Sequence, residues 1–421
     1  MVPQREVVIT GVGVVSPIGI GREAFAASLA AGRSGVRRLD LFVDSDLPAP
    51  IGAEVRDFDP KLYVRPRKSL KVMSRDIQFG FAAADLACAD AKLRDHPLDP
   101  DRLGVVFGAD LMPCELEELI PAFRGCLVEG KFDFARWGPS AMTDLFPLWM
   151  LKYLPNMPAC HIGIAQDARG PNNSLTHGDV SSLSAVAEAM RVIERGQADV
   201  MIAGGAGSRI HPVLLVGRGG YDPACRHEDP AAACRPFDAR RHGIVCGEGA
   251  GAFILESRRY AAARGAPILA RILGYAARFE PSRNGRPLRG SAIRAAIAGA
   301  LRDARLTAAD IGHVNANGLS TIHDDRIEAQ AIREVLGEVP VTAPKSYFGN
   351  LGAGSGAVEM AASLLAIEHG LVPPTLNYEH PDPECPVNVI CGRPLATDRR
   401  TALVLNHSRQ GQSVAVVLAA P

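Results

Sequence analysis

The chain has 421 residues, with 46 Lys and Arg against 46 Asp and Glu and a hydrophobic share of 47%. At roughly 150 residues per domain this is enough for two or three domains around a large core, and the composition excludes a disordered chain. The charge balance excludes a nucleic-acid binder working through a bulk positive field.

In chain order, a strand over 7–10 ends in Gly11-Val12-Gly13, and 25–31 reads as a short helix. Residues 73–91 carry apolar side chains at helical spacing, and 103–107 is a buried strand closed by Gly108. The clearest helix covers 180–195: Val180, Leu183, Val186, Ala187, Met190 and Ile193 keep the 3.6-residue period, and Gly196 stops it. A strand over 200–203 follows, ending in a Gly204-Gly205 turn. The second half repeats the alternation, with strands at 252–255, 268–274, 314–316, 401–405 and 414–419 and helices at 292–301, 326–336 and 356–369. Alternating strands and helices predict an α/β architecture. The similar order of the halves hints at a structural duplication, with no sequence repeat to prove it. No low-complexity linker divides them, so they are expected to share one core. The halves are drawn at 1–256 and 257–421.

The nine cysteines form no CxxC pair, which fits scattered core thiols in a reducing compartment. No run of 18 apolar residues predicts a membrane span, and the first residues lack a signal-peptide pattern, so the expected location is the cytoplasm. The scattered His, Cys and acidic residues lack metal-ligand spacing, and turns such as Gly352-Ala353-Gly354 make no nucleotide fingerprint; no cofactor is expected.

Several stretches carry a family resemblance. They include 8–17 (Val-Ile-Thr-Gly-Val-Gly-Val-Val-Ser-Pro), Gly170-Pro171-Asn172, 198–205 (Ala-Asp-Val-Met-Ile-Ala-Gly-Gly) and Arg235-Pro236-Phe237-Asp238. Gly247-Glu248-Gly249-Ala250, Val314-Asn315-Ala316, Lys345-Ser346 and Pro373-Pro374-Thr375-Leu376-Asn377 complete the set. In this order they resemble the β-ketoacyl synthases, the condensing enzymes of fatty-acid and polyketide synthesis. The resemblance implies a thiolase-like fold, a five-layered αβαβα sandwich of two similar halves, normally dimeric. It also implies a Cys nucleophile at a helix N-terminus and two histidines that polarise a malonyl thioester.

The family spacing places other residues at those positions. Nine residues beyond Gly170 stands Asp179, with Arg191, Gly196 and Asp199 in unbroken register after it. The first histidine position, after Val314-Asn315-Ala316, is Asn317; the second, five residues beyond Lys345, is Asn350. Lys345, Asp325 and Glu328 match the family, where the lysine and glutamate hold the site by charge pairing. The loop that gates the acyl pocket in the family reads Asn406-His407-Ser408-Arg409-Gln410-Gly411-Gln412 here, without its two aromatics.

A carboxylate attacking a thioester gives a mixed anhydride that water destroys, so Asp179 cannot replace the thiolate. It reads either as an N-cap of the helix at Val180, or as a general base or electrostatic anchor. Asn317 and Asn350 keep amide donors that could hold a carbonyl oxygen, or they fill polar space; neither shuttles protons as histidine does. His177, His323 and His407 are the candidate bases, and His177, His407 and Arg409 the candidate substrate contacts. Cys160 and Cys246 lie away from the nucleophile position. The basic run Arg65, Arg67, Lys68 and Lys71 is either a solvated face or a docking surface for an acidic acyl carrier protein.

The resulting expectation is a ketosynthase-like protein that does not condense by itself. It would partner an active ketosynthase or carrier protein as chain-length factors do, in a homodimer or heterodimer, with no nucleic acid and no membrane. Chain-length factors usually place Gln, not Asp, at the nucleophile position. The alternative is an enzyme of changed chemistry on an acyl or malonyl thioester (hydrolysis, decarboxylation or acyl transfer), with Asp179 as base and Asn317 and Asn350 holding the carbonyl.

Overall fold

The first strand, β1 (Val7–Ser16), is buried along its whole length, which a strand achieves only when both faces of its sheet are covered. The structure is a computed structural model and describes residues 6–40, 50–217, 225, 227–282 and 287–421. After β1 come helix α1 (Arg75–Asp90) and strands β2 (Leu103–Gly108) and β3 (Asn172–Leu175). Helix α2 (Ser181–Glu194) leads to β4 (Val200–Ser208) and β5 (Cys246–Ser257).

The second half contributes β6 (Ala270–Phe279), α3 (Ser291–Ala304), β7 (His313–Asn315) and α4 (Ile322–Leu336). It closes with β8 (Pro340–Thr342), α5 (Ser355–His369), β9 (Thr401–His407) and β10 (Gln412–Ala419).

These strands lie in one sheet, with β3-β2-β4-β5-β1 followed by the run β6-β10-β9-β7-β8. Counted within each half from its outer end toward the seam, both runs have the same order, third-second-fourth-fifth-first. The duplication hinted at by the sequence is therefore topological. Where the halves meet, Val7–Ile9 of β1 pairs antiparallel with Ala270–Ile272 of β6.

Side-chain alternation builds the layers. On β10, Val414, Val416 and Leu418 enter one core while Ala415 and Val417 enter another. On β5, Phe253 and Leu255 join that first core, whereas Ala252 and Ile254 face the side covered by α1. The shared core holds the apolar residues of α2 and α5, such as Leu183, Val186, Met360 and Leu364. Helix α1 covers the outer face of the first half, and α3 and α4 that of the second. The order helix, sheet, helix pair, sheet, helix is the five-layered thiolase-like sandwich.

Two glycine assignments need correction. Gly11-Val12-Gly13 does not end its strand and Gly204-Gly205 is not a turn, because β1 runs to Ser16 and β4 to Ser208. A Cβ on Gly13 would sit 2.0 Å from the Ala83 carbonyl oxygen of α1, and one on Gly205 would sit 2.5 Å from that of Ala353. These glycines permit close helix-on-sheet packing rather than reversal of the chain.

Candidate functional site

Strand β3 leads through Thr176 and His177 into a tight turn at Gly178–Val180, and α2 begins at Ser181. Asp179 is 6% exposed, and its Oδ1 lies 2.8 Å from Arg209 Nη2. Arg209 directly follows β4, and its Nη2 also donates to Asp110 Oδ2 at 3.3 Å. Asp110 follows β2. One buried guanidinium thus holds carboxylates from two neighbouring strand ends. Gly352, with φ +62°, lies against this group; a Cβ there would be 2.8 Å from Arg209 Nε and 3.0 Å from Asp110 Oδ2.

The N-cap reading of Asp179 is corrected by this arrangement. The residue preceding α2 is Val180, and no side chain caps the helix. The Asp179 carboxylate turns instead to Arg209, where a charge-assisted contact replaces the backbone N–H groups.

Asn350 is 2% exposed, and its Oδ1 accepts from the Gly352 N–H and the Ser355 hydroxyl, both at 3.0 Å. Its Nδ2 has no hydrogen-bond partner among the described residues. Asn350, Asp179, Arg209, His177 and Arg409 line one cleft of about 460 Å³.

Asn317 is fully buried and belongs to a different network. Its Oδ1 accepts from Lys345 Nζ at 2.9 Å and from Asn406 Nδ2 at 3.2 Å, while its Nδ2 donates to the His407 carbonyl at 3.4 Å. The expectation that Asn317 and Asn350 hold one carbonyl together is therefore corrected: Asn317 spends its amide inside the protein, and only Asn350 faces the cleft.

The expected pairing of Lys345 with Glu328 is also corrected. Lys345 forms its buried ion pair with Glu359 on α5. Glu328 instead accepts from the backbone N–H groups of Asn317, at 2.6 Å, and Gly318, at 2.8 Å. It also faces His407 Nε2 at 3.6 Å. Burial alone would lower the His407 pKa, but Glu328 and then Asp324 oppose this and the net shift is upward. Burial pushes the Asp325 carboxyl up to about 7, against the Phe237 N–H and Arg241 that favour its charged form. Burial likewise raises Glu359, against Lys345 and Asn406.

The remaining candidates divide by exposure. His177 is exposed at the cleft mouth, and His323 is exposed on α4, so His323 is corrected as a base for this cleft. Arg409 lies on the turn joining β9 and β10, lines the cleft and places its Nε 3.6 Å from Asp324 Oδ2. Arg65, Arg67, Lys68 and Lys71 are exposed on and beside a short turn of helix at Arg67–Val72. Cys160 and Cys246 are half-buried, and neither lines the cleft. Among the described residues no group of three or more His, Cys, Asp or Glu could hold a metal ion, and no helix is long and apolar enough to cross a membrane.

Sequence reasoning missed Arg209, Asp110 and Glu359. The available signals were a lone arginine closing a fully buried strand and an acid, Glu359, set among the buried residues of the apolar helix 355–369.

Comparison with known proteins follows the same lines. The family described as Beta-ketoacyl synthase, N-terminal domain, matches residues 4–261, and Beta-ketoacyl synthase, C-terminal domain, matches residues 269–379. A 3-oxoacyl-(acyl-carrier-protein) synthase 2 of Synechocystis is 34% identical over 397 residues, 93% of this chain and 92% of its own. The tetracenomycin polyketide synthase ketoacyl synthase alpha subunit of Streptomyces glaucescens is 33% identical over 436 residues, covering 99% of this chain and 98% of its own. Among solved structures, a ketosynthase–acyl carrier protein complex of a type II polyketide synthase, bound to the hexaketide, superposes with TM-score 0.86 at 28% identity. It covers 99% of this chain and 100% of the matched chain. The ishigamide ketosynthase/chain length factor superposes with TM-score 0.83 at 30% identity, with the same coverage.

Proposed function

Because this chain belongs to the β-ketoacyl synthase family, we propose that it is a subunit of fatty-acid or polyketide synthesis that does not condense by itself. It partners an active ketosynthase and its acyl carrier protein in the manner of a chain-length factor. The observation that carries this reading is the ion pair between Asp179 and Arg209 at the nucleophile position. A thiolate there would attack an acyl thioester; a carboxylate bound to a buried guanidinium holds its electrons in a charge pair and offers no stable acyl carrier. The two positions that would polarise a malonyl carbonyl carry neutral amides, one of them withdrawn into the Lys345 network.

Partnership is supported by two surfaces. Strand β3 is the end strand of its sheet run. The chain following β2 exposes Leu111, Phe134, Met142, Leu148, Met150 and Ile164, between 51% and 88% each. These side chains are read as part of the partner surface, with a second ketosynthase-fold chain as the proposed occupant. The basic turn with Arg65, Arg67, Lys68 and Lys71 is read as the carrier-docking surface, complementary to an acidic carrier. The solved ketosynthase/chain length factor relative supports the same assembly.

The test is co-expression with a ketosynthase that retains Cys, His and His. A stable heteromeric complex that makes product, with neither chain active alone, is expected; a chain that never associates with a ketosynthase or carrier contradicts the proposal.

A second reading, altered thioester chemistry, is favoured by one observation: Asn350 and Asp179 line the same cleft. Release of CO2 or free acid from malonyl- or acyl-carrier substrates by the purified chain, abolished by Asp179→Asn, would support it.

A further inference from the structure

Between the short helix Arg22–Ala30 and the strand Val36–Arg38 the chain makes a tight loop, which with the residues after β1 frames a cleft of about 350 Å³. The loop is fixed by its backbone: the Arg33 N–H donates to the Ser28 carbonyl at 3.0 Å and the Gly35 N–H to that of Tyr347 at 2.7 Å. Gly35 lets it close on the chain after β1, since a Cβ there would lie 2.7 Å from Pro17 Cβ. This cleft shares no lining residue with the one beside Asp179.

The lining carries two guanidinium groups, Arg33 and Arg37, and no acid. Arg33 is exposed, and its Nη2 donates to the Ser28 hydroxyl oxygen at 2.9 Å. It is not needed to cap the helix, because the backbone N–H groups of residues 31–33 already reach the carbonyls of Ala27, Ser28 and Leu29. Arg37 is half-buried; among the described residues its side chain donates to the Glu54 carbonyl at 3.3 Å and pairs with no carboxylate. The carboxylates of Asp40 and Glu54 lie 3.8 and 3.5 Å from Arg56 instead. Burial, and then Arg56, lower the Arg37 pKa, and the surrounding acids oppose this only in part. Its cation is under-compensated, a cost that an anion in the cleft would remove. Ser34 stands between the two arginines in the chain. Its oxygen accepts from the Val36 N–H at 3.2 Å, which leaves its O–H to donate.

We propose that this cleft binds the phosphate group of a small phosphomonoester, held by Arg33, Ser34 and Arg37. Two guanidinium groups and a hydroxyl on one cleft suit a tetrahedral dianion with three free oxygens; a carboxylate offers one charge and two oxygens in a plane. Pro17 and Ile18 form the wall against which the organic part lies. The site is independent of the partner role proposed above.

The test is titration calorimetry on the full chain at constant ionic strength with ribose 5-phosphate, inorganic phosphate and acetate. Saturable binding of both phosphates is expected, the monoester at least as tight as the inorganic ion and acetate weaker than either. Arg33→Gln and Arg37→Gln should each weaken the monoester about tenfold, the worth of one charge-assisted hydrogen bond; the double variant should abolish binding, and circular dichroism checks each fold. Arg33→Gln changes an exposed side chain and keeps an amide donor for the Ser28 hydroxyl, so it carries the test even if Arg37→Gln does not fold. No saturable phosphate binding, acetate as tight as phosphate, inorganic phosphate tighter than the monoester, or undiminished binding in Arg33→Gln would each overturn the proposal.

Discussion

Asp179 and Arg209 lie 2.8 Å apart across the turn that opens α2, with side chains 9% and 7% exposed. Breaking a buried pair leaves its surviving charge without a partner. Arg209→Met should therefore destabilise the chain by about 3–5 kcal/mol, because Asp179 and Asp110 both lose their cation. Asp179→Asn should cost less, since Arg209 keeps Asp110. Urea denaturation measures both, and an Arg209→Met variant as stable as the parent would show that the pair contributes nothing.

Restoring sulfur should not restore condensation. Asp179→Cys places a thiol beside Arg209 and at the start of α2, two features that favour the thiolate. Iodoacetamide should label it faster than the buried Cys88, whose thiol burial pushes up to about 12. No β-keto product is expected, because Asn317 and Asn350 cannot supply the two imidazoles. Condensation by this single variant would show that the asparagines suffice.

The Lys345–Glu359 pair is more deeply buried than the Asp179–Arg209 pair, with side chains 1% and 0% exposed. Glu359→Gln should lower stability by about 3–5 kcal/mol and disturb Asn317 and Asn406, which share the network. Glu328→Gln acts elsewhere, on the Asn317 and Gly318 backbone N–H groups. Equal losses from Lys345→Met and Glu359→Gln, with no further loss in the double variant, would identify one coupled pair by a double-mutant cycle.

Asp325 gives a pH signature. Its folded pKa of about 7 lies above the ordinary 3.8, so between these values the folded state binds more protons than the unfolded. The stability it contributes is complete below the unfolded value and is lost as pH rises toward 7, with a slope of up to about 1.4 kcal/mol per pH unit. Asp76, also raised to about 7 by burial and Glu248, acts in the same direction. His313, lowered by burial to about 4, acts oppositely between its ordinary 6.5 and that value. Asp325→Asn isolates the first contribution: its unfolding free energy should fall less steeply from pH 4.5 to 7 than that of the parent. Parallel profiles would contradict the assignment.

The register of the site was legible because spacing along one chain segment survives folding. Counting from Gly170 and Lys345 reached Asp179 and Asn350, and the structure places both on one cleft. The alternation of elements likewise reached most of the strands and helices, with boundaries shifted by a few residues, but not the strands Asn172–Leu175 and Pro340–Thr342 or the helix Met157–Ala165. What could not be read is what each side chain faces. Arg209 meets Asp179 from a different strand, Glu359 takes Lys345 from a separate helix, and Asn317 turns inward while Asn350 does not. Glycines misled for the same reason. Turn and close packing demand the same residue, and only the neighbouring helix distinguishes them.

The most direct measurement is intact-protein mass spectrometry of the purified chain after incubation with acyl-loaded and malonyl-loaded carrier protein, with and without an active ketosynthase. No acyl adduct on this chain is expected under either condition, and elongated product only when the ketosynthase is present. A covalent acyl group on the chain, or a β-ketoacyl product from the chain alone, would contradict the proposed function.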